Sequence, residues 1–220
     1  MKKLLNVITP LHKRAKRDYL GRMMDNKVEC MKVAREYGKD FWDGDRRYGY
    51  GGYRYDGRWA PVAKKLVEMY QLKDEARILD VGCGKGFLLY ELKQLLPSAA
   101  VKGIDISQYA IENAKEEIKS NLVVHRAQEA YPFNDKEFDL VISITTLYNL
   151  YMDELKSALK EVERVGKNKY IALESYRNEE ELFNLQCWAL TCEIFLTPRE
   201  WVWLFNEFGY TGDYEFIFFE

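Results

Sequence analysis

The sequence holds no apolar run near the ~18 residues that a membrane-spanning helix needs. Its first ten residues, Met1 to Pro10, mix apolar with polar side chains, and His12-Lys13-Arg14 follow at once. They do not make the h-region of a secretory signal, so this segment is expected to be retained. Cys30, Cys83, Cys187 and Cys192 are scattered, with no CxxC pair and no metal-ligand spacing. Free thiols in a reducing, cytoplasmic setting are the simplest expectation. Only two histidines occur, so no Asp/His cluster points to a metal, and His125, in an apolar strand, reads as a packed, hydrogen-bonded residue. Low-complexity tracts, fixed-period repeats and Ser/Gly linkers are missing as well.

What is present is the balance of a globular protein, 47% hydrophobic and 31% charged. Tyr 16, Phe 11 and Trp 5 exceed what a core needs and leave rings to line a pocket or a surface. The net charge of −2 conceals an asymmetry: residues 1 to 60 carry 15 Lys/Arg against 8 Asp/Glu, and residues 61 to 220 carry 18 against 27. A basic arm beside an acidic body fits an anionic substrate, a nucleic acid, or plain docking of one on the other. We divide the chain into a helical arm with a Tyr/Gly-rich lid, residues 1–60, and a ligand-binding domain, residues 61–220.

From Arg77 onward strand and helix alternate, the pattern of a parallel sheet covered on both faces. Arg77–Val81, Val101–Asp105, Leu122–His125, Phe138–Ile144, Tyr170–Leu173 and Tyr214–Phe219 read as strands. Helices are expected over Gly86–Leu96, after the N-cap Ser107, over Asp153–Val165, and after Thr197-Pro198-Arg199-Glu200, a capping box with Pro at the first helical position. The expected fold is α/β, a Rossmann-like, doubly wound, mostly parallel seven-stranded sheet with an N-terminal helical and loop extension.

In such sheets ligands bind beyond the carboxyl ends of the strands, where the strand order reverses. Asp80-Val81-Gly82-Cys83-Gly84-Lys85-Gly86 lies at the end of the first strand. Its glycines allow a tight turn and close backbone approach, and the following helix offers unpaired N–H groups. Asp105, 23 residues after Gly82 and also at a strand end, is placed to accept from ribose hydroxyls. A nicotinamide-binding turn wants a third glycine three residues after the second, where Phe87 stands. Asp80 would also repel a pyrophosphate but could hold an ammonium group.

Ile78 to Gly86 resembles motif I of class I S-adenosylmethionine-dependent methyltransferases, and Gly103-Ile104-Asp105-Ile106-Ser107 resembles the acidic motif that follows it. Arg126 to Phe133 and Phe138 to Ser143 are similar to the family's adenine-edge loop and fourth strand. The resemblance covers roughly residues 60 to 175. It implies S-adenosylmethionine as cofactor, with Asp80, Gly82 and Gly84 at the methionyl end and Ser143 near its amine. It places Asp105 on the ribose, Ile106 against one adenine face, and the Gln128 backbone on the adenine edge. Ala127 stands where the family often has Asp. Asn149 stands where it often has His, and Asn cannot be a general base, so assistance falls to Tyr148 or another group. Glu174, at the end of the fifth strand, is the candidate base.

Upstream, Tyr48 to Trp59 packs four tyrosines, four glycines and two arginines into twelve residues, costly to order unless they bind something. As a lid it would bring Tyr53, Arg54 and Tyr55 to the acceptor, and Arg58 or Trp59 over the cofactor; otherwise it clamps the arm to the sheet. No Asn/Asp-Pro-Pro-aromatic motif and no Pro-Cys nucleophile occurs, which disfavours nucleic-acid base methylation and points to a small polar or anionic acceptor. The Tyr/Gly/Arg loop and the ending Gly212 to Glu220 are similar to methyltransferases found with bacterial surface-polysaccharide genes. That resemblance implies a sugar hydroxyl, sugar amine or phosphate-linked oxygen as acceptor. A nucleotide-cofactor oxidoreductase, an RNA-directed methyltransferase and a non-catalytic binding protein are the competing readings.

Overall fold

The structure is a computed structural model that describes residues 2–220. Six strands form one sheet: β1 (Arg77–Val81), β2 (Ala100–Asp105), β3 (Leu122–Val124), β4 (Phe138–Ile144), β5 (Gly166–Glu174) and β6 (Asp213–Ile217). Their order is β3-β2-β1-β4-β5-β6, and every neighbouring pair is parallel. The chain builds outward from β1 in one direction, then returns to β1's other side with β4. The reversal therefore falls between β1 and β4, and the loops after those strands face each other across a crevice.

The expected seventh strand is not there among the described residues. The outer edge of β6 is met instead by one parallel bridge, Leu4 to Tyr214, in which Leu5 N donates to Tyr214 O and Tyr214 N to Lys3 O. That short pairing partly covers an edge that would otherwise be open to association.

Four short helices make the arm: α1 (Thr9–His12), α2 (Tyr19–Met24), α3 (Lys27–Ala34) and α4 (Lys39–Asp43). The body adds α5 (Ala60–Tyr70), α6 (Phe87–Leu95), α7 (Gln108–Glu112), α8 (Glu116–Lys119), α9 (Met152–Val165), α10 (Glu179–Trp188) and α11 (Pro198–Glu207). α9 buries Leu155, Leu159 and Val162, the stripe that its helical spacing predicts, each worth about 1.5–3 kcal/mol when removed from water. The Thr197 and Glu200 capping box starts α11 as read from sequence. The single helix expected after Ser107 is broken into α7 and α8, because Asn113 leaves the helical region.

The arm is fastened at two places. Glu215, buried on β6, accepts from Val7 N (2.5 Å), Ile8 N (3.1 Å), Thr9 N (2.7 Å) and Tyr170 OH (2.6 Å), so one carboxylate meets the orphan donors that open α1. A second hydrophobic cluster, Cys30, Ala34, Phe41 and Leu190 with Tyr50 and Tyr53 packed against it, joins α3 and α4 to the loop after α10. No helix among the described residues is long and apolar enough to cross a membrane.

Candidate active site

The turn after β1 is held by its own backbone. Gly82 N and Cys83 N both donate to Ile104 O, at 2.8 and 3.1 Å, and Gly82 and Gly84 sit at φ of 79° and 54°, the left-handed region that glycine alone enters freely. A Cβ on Gly82 would collide with Thr146 Oγ1, so the loops after β1 and β4 touch across the crevice. Thr145, beside it, carries φ of 53°, which is unusual for a β-branched residue and marks strain at the site. Asp105 ties the turn from the β2 side, its two oxygens accepting from Gly84 N and Ser107 N at 2.8 Å each.

α4 closes over this turn. Trp42 donates from Nε1 to Ser107 Oγ at 2.8 Å, and Lys85 Nζ lies 2.7 Å from both oxygens of Asp43. Tyr109 OH donates to the same carboxylate at 2.9 Å. The Lys85 side chain is only 6% exposed, so Asp43 is the counter-charge that lets the ammonium lie there.

Beyond the strand ends lies a cavity of about 660 Å³ that reaches from the glycine turn to the arm, a size typical of small-molecule sites. Asp80, Asp105, Tyr148 and Glu174 all line it. β2 and β5 are three places apart in the sheet, roughly 14 Å at ~4.8 Å per strand. Burial pushes the Asp80 carboxyl up to about 7, and the neighbouring Asp105 charge adds to this. Glu174 is likewise pushed up to about 7 by burial, against the opposing hydrogen bond of Tyr148 and the charge of Arg17. Burial first, then the Glu174 charge, lifts the Tyr148 hydroxyl well above its ordinary value.

Residues 72–209 match the family model of a methyltransferase domain. The chain belongs to that methyltransferase family. Its cofactor is S-adenosylmethionine, and the residues of the turn fit that group. Asp80 receives no hydrogen bond from the described residues and, buried, gains from a cation such as the methionyl ammonium. Each Asp105 oxygen has one N–H partner and can accept a ribose hydroxyl besides. Ile106 keeps 43% of its surface exposed and lines the cavity, an apolar face for adenine.

An uncharacterised protein of Methanocaldococcus jannaschii is 33% identical over 124 residues, 56% of this chain and 46% of that one. The malonyl-[acyl-carrier protein] O-methyltransferase of Geobacter sulfurreducens is 32% identical over 124 residues, 52% and 45% of the two chains. The chain thus spans about half the length of these curated relatives. Among solved structures, the complex between the Haloferax volcanii Trm112 methyltransferase activator and a methyltransferase aligns with TM-score 0.56 and 17% identity, covering 89% of this chain and 77% of that one. At that identity the likeness is one of fold.

Of the residues singled out in the sequence, Asp80, Gly82, Gly84, Asp105, Ile106, Ala127, Gln128, Tyr148, Asn149, Glu174, Tyr53, Arg58 and Trp59 line this one cavity. Gln128 donates from its side chain to Glu154 Oε1 at 2.9 Å. Asn149 Oδ1 accepts from Thr191 Oγ1 at 2.8 Å. Three residues stand elsewhere. Ser143 is turned into the sheet, its hydroxyl donating to Val81 O at 2.9 Å. Arg54 is exposed, outside the cavity. Tyr55 donates to Glu91 Oε1 at 2.9 Å and packs edge-on to Phe87 and Tyr90, on the outer side of α6.

Tyr53 lies deeper than a free lid would put it, 4.6 Å from the Trp42 ring and 5.2 Å from Phe41, with Tyr50 N donating to its hydroxyl at 3.2 Å. His125 follows the last residue of β3, half-buried at the cavity wall, with Nδ1 2.8 Å from Arg126 O. Sequence reasoning missed Trp42, Asp43, Arg17 and Arg46. Only the basic balance of the arm hinted at the arginines.

Proposed function

We propose that the chain transfers the methyl group of S-adenosylmethionine to an oxygen or nitrogen of a small polar acceptor. The bound cofactor supplies an electrophilic methyl, and attack on it is an in-line displacement. The observation that carries this reading is Glu174: a buried carboxyl near 7, beside the Tyr148 hydroxyl, in the same cavity as Asp80 and Asp105. A base of that strength is half-ionised at neutral pH and can take the acceptor's proton as the new bond forms. Tyr148 shares the cavity with that carboxyl, and the walls made by Tyr53 and Trp59 hold the acceptor against water.

A precursor of a surface polysaccharide, reacting through a hydroxyl, an amine or a phosphate-linked oxygen, fits the polar and cationic lining of the arm side. An extended RNA track fits less well, since Arg17, Arg22 and Arg46 turn inward onto Trp188. The test is untargeted mass spectrometry of cell extract incubated with the protein and S-adenosylmethionine. A product heavier by one methyl, formed by wild type and strongly reduced with Glu174→Gln, supports the reading; no cofactor-dependent product and no release of S-adenosylhomocysteine overturns it.

A further inference from the structure

Trp188 ends α10, and three guanidinium groups stack around its ring: Arg22 at 4.3 Å, Arg46 at 5.1 Å and Arg17 at 5.5 Å from the centroid. Among the described residues, none of the three is within ion-pair distance of a carboxylate. Arg22 is committed to backbone carbonyls, donating to Trp188 O (3.0 Å), Arg46 O (3.2 Å) and Gly49 O (2.6 Å), and acts as a strut.

Arg17 and Arg46 are different. Arg17 uses Nη1 on Ala15 O and Nη2 on His12, while its Nε is buried without a partner. Arg46 uses Nη1 on Gly49 O, and no bond from its Nε or Nη2 is formed to the described residues. Both line the cavity, and the charge of Glu174 reaches Arg17. His12 fixes Arg17: its Nε2 lies 3.2 Å from Phe218 O, which puts the proton there and leaves Nδ1 to accept from Arg17 Nη2 at 3.0 Å. Burial and the Arg17 charge push His12 down to about 3, so the ring stays neutral and can keep accepting.

Three like charges gathered on one indole, partly desolvated and with no carboxylate in ion-pair contact, repel one another, and a bound anion would relieve that repulsion. Arg46 registers this: burial lowers its proton affinity first, and the charges of Arg22 and Arg17 lower it further. Guanidinium forks match the planar geometry of oxyanions. We propose that Arg17 and Arg46 bind an anionic group of the methyl acceptor, a phosphate or a carboxylate, at the Trp188 wall next to Glu174. The inference rests on the methyltransferase reading of the same cavity and narrows it: the acceptor is an anion, held by its charge on one side of the nucleophile that Glu174 deprotonates.

The experiment is calorimetry on the full chain saturated with S-adenosylhomocysteine, titrated with inorganic phosphate and separately with acetate, at constant ionic strength in chloride. Saturable binding of at least one anion is expected, and the tighter of the two identifies the group. Arg46→Gln should weaken that anion at least fivefold and Arg17→Gln at least tenfold, with S-adenosylhomocysteine affinity held within twofold. If circular dichroism shows Arg17→Gln unfolded, Arg46→Gln decides alone, since Arg46 opens a short surface turn and gives up only one hydrogen bond, from Nη1 to Gly49 O. No anion binding above chloride, or wild-type anion affinity in the folded variants, overturns the proposal. Failure of S-adenosylhomocysteine to bind wild type would instead strike the methyltransferase reading, and the anion titration without it still tests the arginines.

Discussion

The indole of Trp42 fills the space that a side chain on Gly84 would need: an added Cβ would stand 2.7 Å from its Cη2. An arm residue is therefore in contact with the cofactor turn, 42 positions further along the chain. Gly84→Ala should disturb two things at once, since the left-handed φ of 54° is strained for alanine and the indole must move. We expect a loss of about 1–3 kcal/mol in stability, from backbone strain plus displacement, together with at least tenfold weaker S-adenosylmethionine binding. Urea unfolding and calorimetry measure the two; wild-type values in both would detach Trp42 from the turn.

The Asp43 and Lys85 pair makes a sharper test of the same contact. Asp43→Ala leaves a buried ammonium without its counter-charge, which costs about 3 kcal/mol. Replacing both, as Asp43→Ala with Lys85→Met, should recover much of that loss. A double-mutant cycle by chemical denaturation reads the coupling, and simple additivity of the two single changes would show that the pair is energetically idle.

Glu174 sets a pH dependence whose sign can be worked out. Its carboxyl is raised from 4.5 in the ordinary state to about 7 in the fold. The folded protein therefore keeps a proton that the unfolded chain releases, so its stabilising contribution is complete below about pH 4.5 and disappears as pH rises through about 7. Glu174→Gln should gain on wild type across that window, by up to about 3 kcal/mol, while methyl transfer by wild type should climb through an apparent pKa near 7 that the variant lacks. Equal pH profiles of stability for the two proteins would remove the burial argument.

Asp80 predicts a second profile, in binding rather than turnover. Only its ionised form attracts an ammonium group, and burial holds its carboxyl at about 7. Cofactor affinity should rise with pH up to about 7, with proton release on binding below that, and Asp80→Asn should flatten both. Calorimetry in buffers of different ionisation enthalpy counts the protons directly.

How much of this was legible in the sequence depends on how far apart the interacting residues lie. The strand and turn from Arg77 to Gly86, the acid at Asp105 and the capping box at Thr197 are local patterns, and each sits where its pattern puts it. α10 shows no helical stripe in the sequence, because its apolar residues keep to no single face. Yet Asn178 accepts from Glu181 N at 2.9 Å and three glutamates follow it, a start signal that could have been read. The seventh strand was expected from the family and not from any segment. The resemblance implies a place for Ser143, and the composition of the Tyr/Gly/Arg run one for Arg54 and Tyr55, but neither says which way a side chain turns. Trp42 over Gly84, and Arg17 and Arg46 on Trp188, join segments with no pattern in common.

Tyr53 and Arg54 separate the two roles once assigned to one loop. Tyr53→Ala removes a ring packed on Phe41 and Trp42 and should cost about 2–4 kcal/mol. Arg54→Ala, at an exposed position, should stay within about 0.5 kcal/mol of wild type and leave acceptor KM unchanged. Thermal unfolding distinguishes them, and equal stability of both variants would restore a loose lid.

The link from Glu215 to Val7 joins positions 208 residues apart. During synthesis at ~5–20 residues per second, the arm must wait roughly 10–40 s before its anchor on β6 leaves the ribosome. Until Trp188 emerges the three arginines have no indole to stack on, and until Glu215 emerges the N–H groups that open α1 have no carboxylate, although the sheet from β1 to β4 can already pair. Nascent chains halted before Asp213 should therefore bind S-adenosylhomocysteine weakly and leave the arm open to protease, and the segment made first is among the last to be fastened.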